Sequence, residues 1–212
     1  MAWHRITGEE VLQVANAYYY FSIQFRENLE IACRLHPHDS KLATLLRGEC
    51  NTDNLSPWPG VSASGERMNH DEFMRRLLGL QKIRRERYIE GLGGIYLARV
   101  RSVGDVARAC SISSYEDGGL SRVFTAMLRA PNWCGPGQSA FRFFLEQHIL
   151  FDTDDEAGHG GLSRHLVPND GILPLWREFA EMLAATVPRL VNGSTPRHSK
   201  GPAVGTGVAT AG

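Results

Sequence analysis

GEEVLQVANAYYYFSIQF, residues 8–25, decides the fold class. Val11, Val14, Ala15, Tyr18, Phe21 and Phe25 recur at the three- and four-residue intervals of one α-helical face, with no period-two alternation of the kind a strand requires. The same period continues on either side. Asp39 caps a second helix that reaches about Glu49 and carries Leu42, Leu45 and Leu46. Asn69 caps a long helix with Phe73, Leu77, Leu80 and Ile83 on one side, and Gly91, Gly93 and Gly94 are expected to interrupt or kink its far end. Further helices are expected at about 103–111, 115–129, 138–156 and 174–191, with Pro188 bending the last. Between the second and third helices, Pro57, Pro59, Gly60 and Gly65 make residues 51–69 a loop, which Trp58 should pin by its ring. The expectation is an all-α bundle of about seven helices over residues 1–191. Residues 192–212 are rich in Gly, Ser, Thr and Pro with almost nothing to bury, and read as a disordered tail.

Composition removes several function classes. A chain of 212 residues suits one domain, or one domain and a tail, with a real core. Lys+Arg and Asp+Glu are both 23, so no net field attracts nucleic acid or an anionic membrane. Met1–Arg5 is not followed by an apolar leader segment, and no run approaches the roughly 20 apolar residues of a membrane span. A soluble, cytoplasmic protein is expected. Cys33, Cys50, Cys110 and Cys134 are widely separated with no CxxC pair, the pattern of free structural thiols in a reducing compartment.

Chemistry concentrates in FLEQHILFDTDDEAGHGG, residues 144–161. His148 and Asp152 are four apart and project from the same helical face. Asp155 lies seven beyond His148, and His159 four beyond Asp155, so all four share one stripe. Imidazole with carboxylate is the ligand mix that suits iron or manganese in a helical bundle, although a solvated acidic helix end would look similar. Facing helices offer further donors. Glu49 ends the Leu-rich second helix, His70 and Glu72 open the third, and Glu116 opens the helix that continues to Leu120, Phe124 and Leu128. Glu72 and Glu116 also have a plainer reading, since a carboxylate in a first turn suits the helix dipole.

The ordered set resembles the heme-oxygenase-like non-heme diiron oxidases and oxygenases from about residue 40 to 190. The carrying elements are Glu49 with Asp53 in ECNTD, His70-Asp71-Glu72, Glu116-Asp117 in SYEDGGLSRVF, and Leu145-Glu146-Gln147-His148 to Asp152, closing on His159-Gly160. The resemblance implies a heme-oxygenase-like bundle with two irons per chain. Glu49, His70, Glu116, His148, Asp152 and His159 would be their ligands, and Glu72 a supporting or shifting carboxylate. It also implies dioxygen as co-substrate, a small amino-acid- or fatty-acid-derived substrate, an external electron donor, a homodimer and a role in specialised metabolism. The chain departs from the family where His159 follows Asp152 by seven residues instead of three or four. In an unbroken helix His148 and His159 would lie roughly 16 Å apart along the axis, too far to serve irons about 3.5–4 Å from each other. Either the TDDEAG stretch leaves the helix, or Asp155 with His159 replaces Asp152 with His148 at one metal.

Rival readings exist on the same fold. A thiaminase-like hydrolase needs a nucleophilic cysteine; Cys134 in APNWCGPG has no basic neighbour to activate it. A heme protein needs a proximal histidine on an early helix, whereas Pro37 spoils the platform under His36 and His38. A non-catalytic binding bundle is the reading that remains if the acidic and histidine positions face solvent. Tyr18, Tyr19, Tyr20, Phe21 and Phe25 read as core before substrate wall, and Arg84, Arg85 and Arg87 as a solvated face.

Overall fold

A computed structural model of the chain describes residues 1–51, 55, 57–152 and 159–191, with only the main chain described at 151, 152 and 159. The described residues are all-helical. The nine α-helices are α1 (Gly8–Leu35), α2 (Ser40–Cys50), α3 (His70–Leu78), α4 (Glu86–Arg101), α5 (Asp105–Glu116), α6 (Gly119–Met127), α7 (Pro136–Asp152), α8 (His159–Ser163) and α9 (Leu173–Thr186). Short 3-10 turns lie at Trp3–Arg5, Asp170–Ile172 and Pro188–Leu190. No strand forms among them; the one extended pairing is the bridge between Trp58 and Ser62. No helix among the described residues is long and apolar enough to cross a membrane.

α1 is the axle of the bundle. The Thr7 hydroxyl accepts from the Glu10 amide while the Glu10 carboxylate accepts from the Thr7 amide, a reciprocal cap that starts 28 helical residues in a fixed direction. α2, α3, α4, α5, α7 and α9 all pack against it. A helix enclosed this way must bury polar as well as apolar positions, and α1 does: Gln13, Asn16, Ser22, Gln24 and Asn28 are buried beside Val14, Tyr18, Phe21 and Leu29. The amide of Ala2 donates to Leu190 at 2.8 Å, which ties the start of the chain to the turn after α9.

Two sequence expectations need correction. The helix capped by Asn69 stops at Leu78, and the chain turns through residues 79–85 before α4 begins. Gly91, Gly93 and Gly94 therefore sit inside α4 and interrupt nothing. Gly93 is there for packing, because a Cβ at that position would lie 2.3 Å from the Tyr20 ring. The helices expected at 103–111 and 115–129 divide instead between Glu116 and Gly119. Gly118 takes φ +78°, open to glycine at little cost, and a Cβ on Gly119 would fall 2.0 Å from the Ser114 carbonyl oxygen. The helix expected at 138–156 is α7, described from Pro136 to Asp152, and its expected last turn lies outside the described residues. The loop before α3 is pinned as expected: Trp58 stacks on Phe143 of α7 with ring centroids 4.6 Å apart. The 192–212 tail lies outside the described residues.

Candidate metal centre

Four helix ends converge on one point in the interior. Glu49 lies in the last turn of α2, His70 is the first residue of α3, Glu116 is the last of α5, and His148 is one turn from the end of α7. All four are buried, between 4% and 8% exposed. Together with Tyr18, Ser22, Phe25, Leu120 and Phe144 they line a cavity of about 20 Å³. A single water needs roughly 10–15 Å³ on the same measure, so the space suits an ion or a water and excludes a macrocycle.

Three ligand atoms meet there. One each from Glu49, His70 and His148 lie within 4.8 Å of one another, close to the about 3–4 Å separations of atoms that share an ion at 2.0–2.2 Å. The proton count makes the case sharper. His148 Nδ1 lies 2.7 Å from the Phe144 carbonyl oxygen, which can only accept, so Nδ1 carries a proton and the neutral ring presents its Nε2 lone pair to the cavity. That Nε2 lies 3.0 Å from His70 Nδ1, and the same His70 Nδ1 lies 2.6 Å from Glu49 Oε2. An imidazole nitrogen has one in-plane bonding direction and cannot serve both neighbours, whichever way the protons are distributed. A cation facing all three atoms satisfies them together. The His148–Phe144 bond is also the kind of support that metal-bound imidazoles ordinarily have, fixing tautomer and ring plane.

Helix electrostatics point the same way. Glu49 and Glu116 stand at helix C-termini, where the backbone carbonyls already concentrate negative potential. The sequence reading had placed Glu116 in a first turn, where the dipole would welcome it. The Gly118–Gly119 turn reverses that assignment and leaves a buried carboxylate at the unfavourable end, aimed into a cavity shared with Glu49. Glu116 lines the cavity without belonging to the close triad.

The other expected site residues are placed differently. Glu72 lies outside the cavity lining, bound by Arg75 at 2.7 Å and by Arg76 at 2.8 Å. The Arg75 hydrogen bond, with Arg76 adding to it, outweighs partial burial and holds the Glu72 carboxyl down at about 2. Its neighbour Asp71 meets Arg26 of α1 at 3.0 Å, which draws the start of α3, and hence His70, onto the central helix. The side chains of Asp152 and His159 lie outside the described residues, as do Asp53 and Asp155. α7 is described as far as Asp152 and α8 from His159, while residues 153–158 between them, on which the relation of His148 to His159 turns, lie outside the described residues. Gly160 sits against the Glu116 main chain, with its Cβ position 3.1 Å from the Glu116 carbonyl oxygen. The sequence reading missed Ser22, whose signal was a small polar residue set between Tyr18 and Phe25 on an otherwise apolar stripe.

The cysteines keep away from this chemistry. Burial, reinforced by the Glu49 charge, pushes the Cys50 thiol up to about 12, and Cys134 is exposed outside the cavity. His36 and His38 are exposed. No protein-family model, curated protein or solved structure matches the chain.

Proposed function

We propose that this chain is a non-heme iron protein of the heme-oxygenase-like kind that uses dioxygen to oxidise a small organic molecule derived from an amino acid or a fatty acid. The observation that carries the reading is the convergence of Glu49, His70 and His148 on a buried cavity the size of an ion. Two imidazoles and a carboxylate are a donor set suited to ferrous iron with positions left open. Glu116, together with Asp152 and His159, is the proposed set for a second iron. Bound ferrous iron would supply the electrons that dioxygen chemistry requires, with an external donor restoring them.

The chain's own residues do the rest. Glu49 offsets the charge of the ion, and the Phe144 carbonyl holds His148 in the tautomer that offers Nε2. Tyr18, Phe25, Leu120 and Phe144 wall the cavity and keep bulk water from the oxidising site. The present volume takes an ion or a water but neither dioxygen beside an ion nor an organic substrate, so binding of either must widen it. A single-iron centre is the second reading, favoured by the fact that the three close ligand atoms already form a two-histidine, one-carboxylate set. A cysteine hydrolase gains no support, since the thiol beside Glu49 is held protonated and Cys134 is outside the cavity.

Iron content after anaerobic ferrous loading tests these readings. Two irons per chain, falling in both His148→Ala and Glu116→Ala, is the expected result. One iron, lost in His148→Ala but kept in Glu116→Ala, selects the single-iron centre. Unchanged content in both variants removes the assignment.

A further inference from the structure

Taking the iron reading as its basis, we infer that the chain carries a one-electron path from the metal cavity to the surface, through His148, Phe144, Tyr18, Phe21, Tyr115 and Trp176. Each ring touches the next. His148 and Phe144 have centroids 4.0 Å apart, Phe144 and Tyr18 5.6 Å, and Tyr18 and Phe21 5.4 Å. Phe21 and Tyr115 follow at 5.1 Å, then Tyr115 and Trp176 at 4.9 Å. Phenol and indole are among the most easily oxidised side chains, while phenylalanine supplies only π contact. The path therefore has a first station at Tyr18, on the cavity wall, and a last at Trp176, with no saturated gap between them.

The two ends differ in a way that fixes where an electron vacancy rests. Tyr115 is fully buried, and its hydroxyl meets the Gln24 amide and the Ser111 hydroxyl, neither of which is a base that could take its proton. A vacancy at Tyr115 has nowhere to deposit a proton and moves on. Trp176 is half-buried and lines a surface groove with Trp3, Val123 and Leu183, and its Nε1 donates to Ser114 Oγ at 2.9 Å. An indole can lose the electron first, and because Ser114 is half-buried where Ser111 is fully buried, its hydroxyl can pass the Nε1 proton on to solvent afterwards. The path discharges oxidising equivalents that meet no substrate, and it spares the histidine ligands from damage.

Hydrogen peroxide gives a defined oxidant with which to test this. Its reduction to two waters takes two electrons and two protons. Ferrous iron supplies one electron, Trp176 supplies the other together with its Nε1 proton, and solvent supplies the second proton. Ferrous-loaded protein, without organic substrate, is mixed with one equivalent of peroxide, frozen rapidly for EPR, and mapped by peptide mass spectrometry. A neutral tryptophan radical at Trp176 is expected in the frozen samples, and when they are thawed in air, so that dioxygen adds to that radical, oxygen addition should concentrate at Trp176. In Trp176→Phe the signal should become tyrosyl and oxidation should move to Tyr18 or the histidine ligands. Phe25, on the cavity wall, also reaches Tyr115, with centroids 6.2 Å apart, so the ring chain is opened by replacing both Phe21 and Phe25 with Leu, and in that double variant Trp176 should be spared. Wild-type Trp176 oxidised no more than Trp3 or Trp58, or oxidised equally in the double variant, overturns the path. Iron content of the same samples separates this from failure of the metal reading. If no iron binds, a photogenerated ruthenium(III) polypyridyl oxidant tests the path on the metal-free protein. A larger tyrosyl yield in wild type than in Trp176→Phe supports it, and equal yields overturn it.

Discussion

Two buried polar clusters lie side by side on α1, and they are built on opposite principles. One is a spine through α1, α4 and α5. The Tyr96 hydroxyl donates to Gln24 Oε1, Gln24 Nε2 donates to the Tyr115 oxygen, Asn28 Nδ2 donates to Ser111 Oγ, and Ser111 donates to the Arg108 carbonyl. Arg108 in turn donates to Asn28 Oδ1 at 2.7 Å and to Glu27 at 3.0 Å, and Arg101 meets Glu27 at the surface. Each of these donors finds an acceptor. The other cluster, around Glu49, His70 and His148, sets two partners against one His70 nitrogen and surrounds them with space. A satisfied network specifies helix register and needs nothing further. Two imidazoles and a carboxylate that face one small cavity could hold a cation. On the proposed reading, the difference separates buried polarity that holds the fold from buried polarity that serves a ligand.

The largest expected effect breaks the first cluster. Arg108→Leu leaves Glu27 without one cation and Asn28 Oδ1 without its donor, and should destabilise the protein by about 3–5 kcal/mol in urea unfolding. A loss under about 1 kcal/mol would mean the spine does not hold the helices in register. Next is the metal cluster, where the sign should reverse. Ferrous iron at a hundred times its dissociation constant should stabilise the wild type by about 2.7 kcal/mol, which raises the melting temperature by roughly 5–11 °C. Glu49→Gln should lose that shift. Without metal, however, the variant should melt no lower than wild type, and up to about 1 kcal/mol more stably, because a neutral amide relieves the contest for His70 Nδ1. A metal-free Glu49→Gln protein several kcal/mol less stable than wild type would show that the two clusters are alike and both structural.

How much of this was legible in the sequence follows the same division. The helical class was plain from Val11, Val14, Ala15, Tyr18 and Phe21, because burying one face of a helix leaves a local, periodic record. Glu49, His70, Glu116 and His148 could be picked out because carboxylates and imidazoles at apolar helix ends are unusual, and the structure brings these four to one cavity. The turn at 79–85 was hidden because Leu80 and Ile83 keep the apolar period running through it. Gly93 misled because its reason, the Tyr20 ring, is distant in the chain. Glu116 was assigned to the wrong helix end because the Gly118–Gly119 reversal looks, as sequence, like the start of the next helix. The spine left no mark at all, because nothing local sets Gln24, Asn28 and Arg108 apart from polar residues on any helix; only the packing of α4 and α5 against α1 buries them.

pH separates the clusters further. Glu27 is partly buried, which by itself raises a carboxyl, yet the hydrogen bonds and charges of Arg101 and Arg108 prevail and hold it below its ordinary range. A depressed carboxyl contributes stability that is fully present above the unfolded-state value and lost as pH falls through the folded one. Glu27→Gln should therefore cost about 1.5–3 kcal/mol near neutral pH, and its unfolding curve should converge on that of the wild type in acid. Parallel curves at every pH would show that packing, not charge, carries the Glu27 contribution.

The smallest effect belongs to Glu72, the carboxylate that sequence reasoning drew toward the metal. Its ion pairs with Arg75 and Arg76 are three and four residues away on one exposed helical face, where solvent screens them. The carboxyl is held down at about 2, so what it contributes is present above about 4.5 and disappears as pH falls toward 2. Glu72→Gln should cost no more than about 0.5–1 kcal/mol at pH 7 and nothing at pH 2. The iron content and the iron-dependent melting shift should match wild type in the same preparation. A variant that kept its stability but lost one iron would place Glu72 at the centre after all, and would require α3 to rotate its first turn when metal binds.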